Sequence, residues 1–163
     1  MLKPTQEVEV DGAVLAVEFL QSGRNPVEPP VVFLHAGVAD SRMWDAQQTF
    51  VRPERSTLRY DRRGFGSTRI MQPAAYCQVK DLCAVMDAVG VQRSHIVGCS
   101  QGGRIALDLA LADPGRVASM LLVAPSVSGA PVGTLEGQTA RLAAAIETAE
   151  IELRGTGEPR RLA

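Results

Sequence analysis

Four short runs of strand-forming residues, separated by stretches with helical spacing, constrain this chain more than any other feature. They are Val31-Val32-Phe33-Leu34, Ser56-Thr57-Leu58-Arg59-Tyr60, His95-Ile96-Val97-Gly98 and Met120-Leu121-Leu122-Val123-Ala124. The first is continuously apolar, as a strand covered on both faces must be. Ahead of the third run, Val79, Leu82, Val85, Met86 and Val89 fall on one helical face, and Gly90 supplies a stop. After it, Gly102 to Asp113 carries Ile105, Leu107, Leu109 and Leu111, apolar on more than one side, which predicts a buried helix ended by Pro114-Gly115. Strand and helix alternating from residue 31 to residue 124 predict an α/β fold, a mostly parallel sheet of about six strands with helices on both faces. Upstream, Val8, Val10, Leu15, Val17 and Phe19 flank Asp11-Gly12 and predict an antiparallel edge hairpin. Ser22 to Pro30 reads as a loop.

The chain has 163 residues, enough for one domain that hides roughly 70% of its unfolded surface. Its net charge of −1 argues against a nucleic-acid partner, which needs a basic excess. No apolar run approaches the ~18 residues of a membrane span. The first residues lack the basic-then-apolar pattern of a secretory leader, so a cytoplasmic address is expected. Cys77, Cys83 and Cys99 form neither a disulfide framework nor a zinc-type spacing and read as small buried hydrophobes.

One motif carries chemistry. Gly98-Cys99-Ser100-Gln101-Gly102 fits Gly-x-Ser-x-Gly and lies between a strand and a helix. A nucleophile on so tight a turn needs small residues two before and two after it. The helix N-terminus behind it favours negative charge. The competing reading is an ordinary glycine-rich βα turn. Downstream of the first buried strand, His35-Ala36-Gly37 can aim backbone N–H groups at a developing oxyanion. The donors expected are the amides of Gly37 and Gln101. The bland alternative is a turn whose glycine permits an unusual φ.

Taken together, these segments resemble the α/β-hydrolase family. The resemblance rests on His35-Ala36-Gly37 with Ser41-Arg42-Met43-Trp44-Asp45, Tyr60-Asp61-Arg62-Arg63-Gly64-Phe65-Gly66-Ser67, Gly98 to Gly103, and Leu121-Leu122-Val123-Ala124-Pro125. It covers residues 8–126 and is similar above all to the small esterases, enol-lactonases and cofactor-free haloperoxidase-like members. Ala36 departs from the family's more usual glycine. The resemblance implies that Ser100 is the nucleophile and that the substrate is a small ester, lactone or thioester. It implies no cofactor or metal. Asp61 to Gly64 reads as a charge-stapled structural turn, and Trp44 as core beneath the oxyanion loop. Residues 1–126 then form the N-terminal part of the core and 127–154 the start of a helical cap, where Leu142, Ile146, Ala149 and Leu153 mark an amphipathic helix. Residues 155–163 read as a disordered tail.

A serine hydroxyl is a weak nucleophile until a base takes its proton. The family supplies its acid and histidine later in the chain than the nucleophile. Only His35 and His95 are present. His35 belongs to the oxyanion loop, and His95 lies about 16 Å from Ser100 along one strand at ~3.3 Å per residue. Loss of the histidine costs about 10⁶ in turnover, so a monomer of these residues is expected to be nearly inert. The alternative reading is a non-enzymatic module that binds a ligand or partner. Residues 120–124 would be an open apolar edge that invites self-association.

Overall fold

The computed structural model describes residues 6–24 and 27–129. Their elements are β1 (Gln6–Val10), β2 (Ala13–Leu20), β3 (Val31–Leu34), a 3₁₀ turn (Ser41–Trp44), α1 (Asp45–Val51), β4 (Thr57–Tyr60), β5 (Arg69–Ile70), α2 (Gln78–Ala88), β6 (Ser94–Cys99), α3 (Gln101–Ala112), a second 3₁₀ turn (Pro114–Arg116) and β7 (Val117–Val123). They build one sheet in the order β1-β2-β4-β3-β6-β7, with β5 added against β2. The β3–β4, β3–β6 and β6–β7 pairs are parallel; β2 runs antiparallel to β1, β4 and β5. The α/β fold, the parallel centre and the antiparallel N-terminal hairpin expected from the sequence are all present. Gly12 turns that hairpin at φ +73°, a left-handed value that suits glycine.

Alternation along β3 divides the core in two. Val32 and Leu34 face α2 and α3, joining Leu82, Val85, Met86, Ile105, Ala106 and Leu109 in the larger cluster. Val31 and Phe33 face the other side, where Trp44 packs on Phe33 with ring centroids 5.4 Å apart. Helices therefore cover both faces of the sheet.

Buried arginine ties the layers together at the hairpin side. Glu18 and Arg59 face each other across β2 and β4, and the Arg59 Nε donates to Glu18 at 2.6 Å. The same guanidinium donates to Asp45 on α1 and to the Ser41 carbonyl. Arg63 grips Asp81 of α2 through two bonds of 2.8 and 2.9 Å and stacks on Tyr76.

Three expectations need correction. The α3 helix is not buried all round: Ile105, Ala106 and Leu109 face the sheet and α2, while Leu111 is 85% exposed. None of the cysteines is buried. Cys77 is exposed at the start of α2, and Cys83 and Cys99 are half-covered on the flanks of α2 and β6. The last strand begins at Val117 rather than Met120 and stops before Ala124, whose φ of +43° takes it out of extended geometry. Among the described residues β7 pairs only with β6, and Leu121 is 60% exposed. Residues 130–163, where most of the expected cap and the whole of the tail fall, lie outside the described residues. No described helix is long and apolar enough to cross a membrane.

Truncating Arg59 leaves the Glu18 carboxylate buried without its partner, a defect that typically costs about 3–5 kcal/mol. Arg59→Ala should lower the urea midpoint strongly. Arg69→Ala, which breaks an exposed pair with Glu7, should barely move it. Equal effects would contradict this description of the core.

Candidate active site

The site sits at the C-terminal ends of β3, β4 and β6, where open parallel sheets place their ligands. Ser100 joins β6 to α3 with φ +51° and ψ −113°, a strained conformation for a residue with a side chain. Three backbone hydrogen bonds hold it there. Its N–H donates to Val123 at the end of β7, and its carbonyl accepts from Arg104 and from Ser126.

Close backbone approach explains the glycines around it. A Cβ on Gly98 would meet Gly102 backbone atoms at 2.6–2.7 Å and the Gly103 Cα at 2.8 Å. A Cβ on Gly102 would run into the Leu34 carbonyl, and one on Gly103 would meet Pro125 at 2.8 Å. The neighbours at Gly98 and Gly102 are backbone and cannot swing aside. The pattern is thus a steric requirement of this turn, beyond what a glycine-rich linker needs.

Gly37 follows β3, with its Cα against the Gln101 side chain; a Cβ there would meet the Gln101 amide carbon at 2.6 Å. Gln101 opens α3, so its backbone N–H belongs to the first turn of that helix. The structure thus brings together Ser100, Gly37 and Gln101, the three residues singled out from the sequence.

Beneath them lies a buried polar layer that the sequence reading treated only as a structural turn. The Arg62 guanidinium, almost fully buried, donates through Nη1 to Gln101 Oε1 and Gln78 Oε1 at 3.0 Å each, and through Nη2 to the Ala36 carbonyl at 3.1 Å. It also lies over the Phe65 ring. Asp61 accepts from the Ser41 and Ser67 amides at 2.9 and 2.7 Å, fixing the bend through Gly66. A charged residue two positions after a buried strand, at the sheet's C-terminal edge, was the available signal for Arg62.

His35 is enclosed in this layer. Its Nδ1 lies 2.8 Å from the Ala36 carbonyl and its Nε2 accepts from the Arg62 backbone N–H at 3.1 Å. Those partners assign the proton to Nδ1. Burial first, and the Arg62 charge second, lower its pKa to about 4. Both ring nitrogens are thus committed. His95, at the far end of β6, has its Nδ1 2.8 Å from the Ser119 hydroxyl on β7. Neither histidine is placed to serve Ser100. Among the described residues, no group of three or more His, Cys, Asp or Glu is placed to hold a metal ion. Two open clefts of about 500 and 540 Å³ lie elsewhere, one beside Arg63 and Tyr76 and one beside Gln48 and Arg52.

Comparison with known proteins agrees with this fold. A family model described as alpha/beta hydrolase fold matches residues 29–146. The "Putative carbamate hydrolase RutD" of Caulobacter segnis is 37% identical over 98 residues, which cover 57% of this chain and 37% of that protein. The 3-oxoadipate enol-lactonase 1 of Acinetobacter baylyi is 28% identical over 114 residues, covering 69% of this chain and 42% of that one. Among solved structures, Est816, described as an N-acyl homoserine lactone degrading enzyme, superposes with a TM-score of 0.69 at 28% identity, covering 92% of this chain and 55% of that one. The chain spans about two fifths of the length of the curated relatives it matches.

Two outcomes follow. Unfolded histidine takes up its proton near pH 6.5, but folded His35 does so only near 4. The stability that neutral His35 contributes is therefore complete above about pH 6.5 and is lost as pH falls towards 4, by about 3 kcal/mol in all. Urea unfolding at pH 7, 5.5 and 4.5 should show this decline, and His35→Gln should flatten it. Gly102→Ala should unfold the elbow or the chain, since its Cβ meets the β3 backbone; an unfolding free energy within ~0.5 kcal/mol of wild type would refute the close approach.

Proposed function

Because the chain belongs to the alpha/beta hydrolase fold family, we propose that it carries the nucleophile half of a serine hydrolase acting on a small ester, lactone or thioester. The observation that carries this reading is the strained Ser100 backbone, held by three hydrogen bonds between glycines that admit no side chain. Strain of this kind costs about 1–3 kcal/mol and persists only where the surroundings over-determine it.

The chemistry is acyl transfer. Ser100 Oγ adds to the substrate carbonyl carbon as a base removes its proton. The carbonyl oxygen becomes an oxyanion, taken up by the N–H groups of Gly37 and Gln101. Collapse of that intermediate expels the alcohol or thiol and leaves an acyl-serine, which water then hydrolyses. Lactone and carbamate, in the names of the relatives, are both compounds whose carbonyl carbon can accept a serine oxygen. In the family the acid and the histidine follow the nucleophile; these 163 residues contain no histidine after Ser100, and neither His35 nor His95 substitutes for it.

A second reading, a non-enzymatic module that binds a ligand or a partner, is favoured by one observation. Both histidines of these 163 residues are engaged away from Ser100. The uncharged β7 edge, with Met120, Leu121 and Val123 partly exposed, would then offer a surface for self-association.

A fluorophosphonate separates the two. Labelling of the folded chain that maps to Ser100, vanishes in Ser100→Ala and persists in Ser119→Ala supports the hydrolase. The Ser119 control is needed because that hydroxyl already touches an imidazole. Absence of labelling in a chain shown to be folded by circular dichroism supports the binding module.

A further inference from the structure

The Ala36–Gly37 peptide has no freedom to turn. Its carbonyl accepts three hydrogen bonds: from His35 Nδ1 at 2.8 Å, from Arg62 Nη2 at 3.1 Å and from the Ala39 N–H at 3.3 Å. The described chain contains no cis peptide. In a planar trans peptide the C=O and the following N–H point in opposite directions. Holding the Ala36 oxygen down into the buried layer therefore turns the Gly37 N–H away from that layer. The 180° flip of this peptide would put an N–H against the Arg62 and His35 donors and would strand the carbonyl outside. An N–H facing two buried donors costs the desolvation of each.

The Arg62 guanidinium makes a second contact in the same plane. Nη1 donates to Oε1 of Gln101, the residue that follows Ser100. One buried cation thus spans the β3 loop and the start of α3, holding the two segments that carry the Gly37 and Gln101 amides. Gln78, at the start of α2, accepts from the same Nη1 and fixes the guanidinium from the third side. The stack on Phe65 limits its tilt.

We infer that Arg62 is a positioning residue for the oxyanion site: it sets the direction of the Gly37 N–H through the Ala36 carbonyl and the placement of Gln101 through its side-chain oxygen. It touches no reacting atom. The inference rests on the hydrolase reading for its purpose, but the geometry it asserts stands by itself. Arginine suits the task better than lysine, because a planar fork can serve two acceptors at fixed separation.

The test compares wild type with Arg62→Met, which keeps bulk over Phe65 but removes every side-chain donor, and with Arg62→Lys. One arm records ¹H–¹⁵N amide spectra. The Gly37 and Gln101 resonances should shift or broaden in Arg62→Met, while those of Val32, Ile96 and Leu109 stay in place. Unchanged Gly37 and Gln101 amides, or changes spread evenly through β3, β6 and α3, would overturn the inference. The other arm follows phosphonylation of Ser100 as a function of fluorophosphonate concentration. The maximal rate should fall about 10- to 100-fold in Arg62→Met. The half-saturating concentration should stay within about twofold of wild type, and Arg62→Lys should give an intermediate rate. Equal maximal rates in all three proteins would also overturn it. Wild type that is never labelled would instead defeat the hydrolase reading, and the amide spectra would still decide whether Arg62 holds the peptide.

Discussion

Backbone packed on backbone around Ser100 is the constraint from which the rest of this structure follows. The chain leaves β6, reverses within one residue and enters α3, while β3 passes close enough for its Leu34 carbonyl to occupy the space a Gly102 side chain would need. That contact is possible only if β3 and β6 are neighbours in register, which their parallel pairing from Val31–His95 to Leu34–Gly98 provides. The start of α3 is thereby fixed against the sheet, and Ile105 and Leu109 complete the core behind it. A single steric requirement thus links strand order, helix placement and the half-buried turn that carries Ser100.

The buried arginines solve a different problem. Loops and turns between strands contain peptide groups that must be partnered once they are packed. Arg62 partners the Ala36 carbonyl, Arg63 the Asp11 carbonyl and Arg59 the Ser41 carbonyl. Two of the three also meet a carboxylate, Arg59 with Glu18 and Asp45 and Arg63 with Asp81. Arg62 instead donates to amide oxygens and lies on an aromatic ring. Near Ser100, neutral acceptors orient the guanidinium without adding a further negative charge.

Much of this was legible in the sequence, for reasons that differ by element. The strand β3 showed because a buried parallel strand concentrates apolar residues in a short run, and β4, β6 and β7 showed as similar short runs of strand-forming residues, although β7 is largely exposed. The hairpin showed because Asp11-Gly12 sits between alternating segments. Ser100 and Gln101 were singled out because a tight turn imposes a short, local pattern, and Gly37 because it closes the loop after β3; the structure sets the three near one another. Other features had no such local trace. The two-residue strand Arg69–Ile70 exists only through pairing with β2 and is exposed on both positions. The exposure of Leu111 follows from which side of α3 meets the sheet, and spacing alone could not decide it. Arg62 was read as part of a stapled loop, since its acceptors are a carbonyl 26 residues upstream and a side chain 39 residues downstream. Tertiary reach of that kind has no periodicity to detect.

The central claim is that Ser100 and the amides of Gly37 and Gln101 form one site. A crystal structure of the chain after reaction with a p-nitrophenyl phosphonate tests it most directly. The account predicts phosphorus bonded to Ser100 Oγ, with one phosphonyl oxygen about 2.7–3.1 Å from both the Gly37 and the Gln101 nitrogen. An adduct on another serine, or a Ser100 adduct whose oxygens avoid both amides, would contradict it.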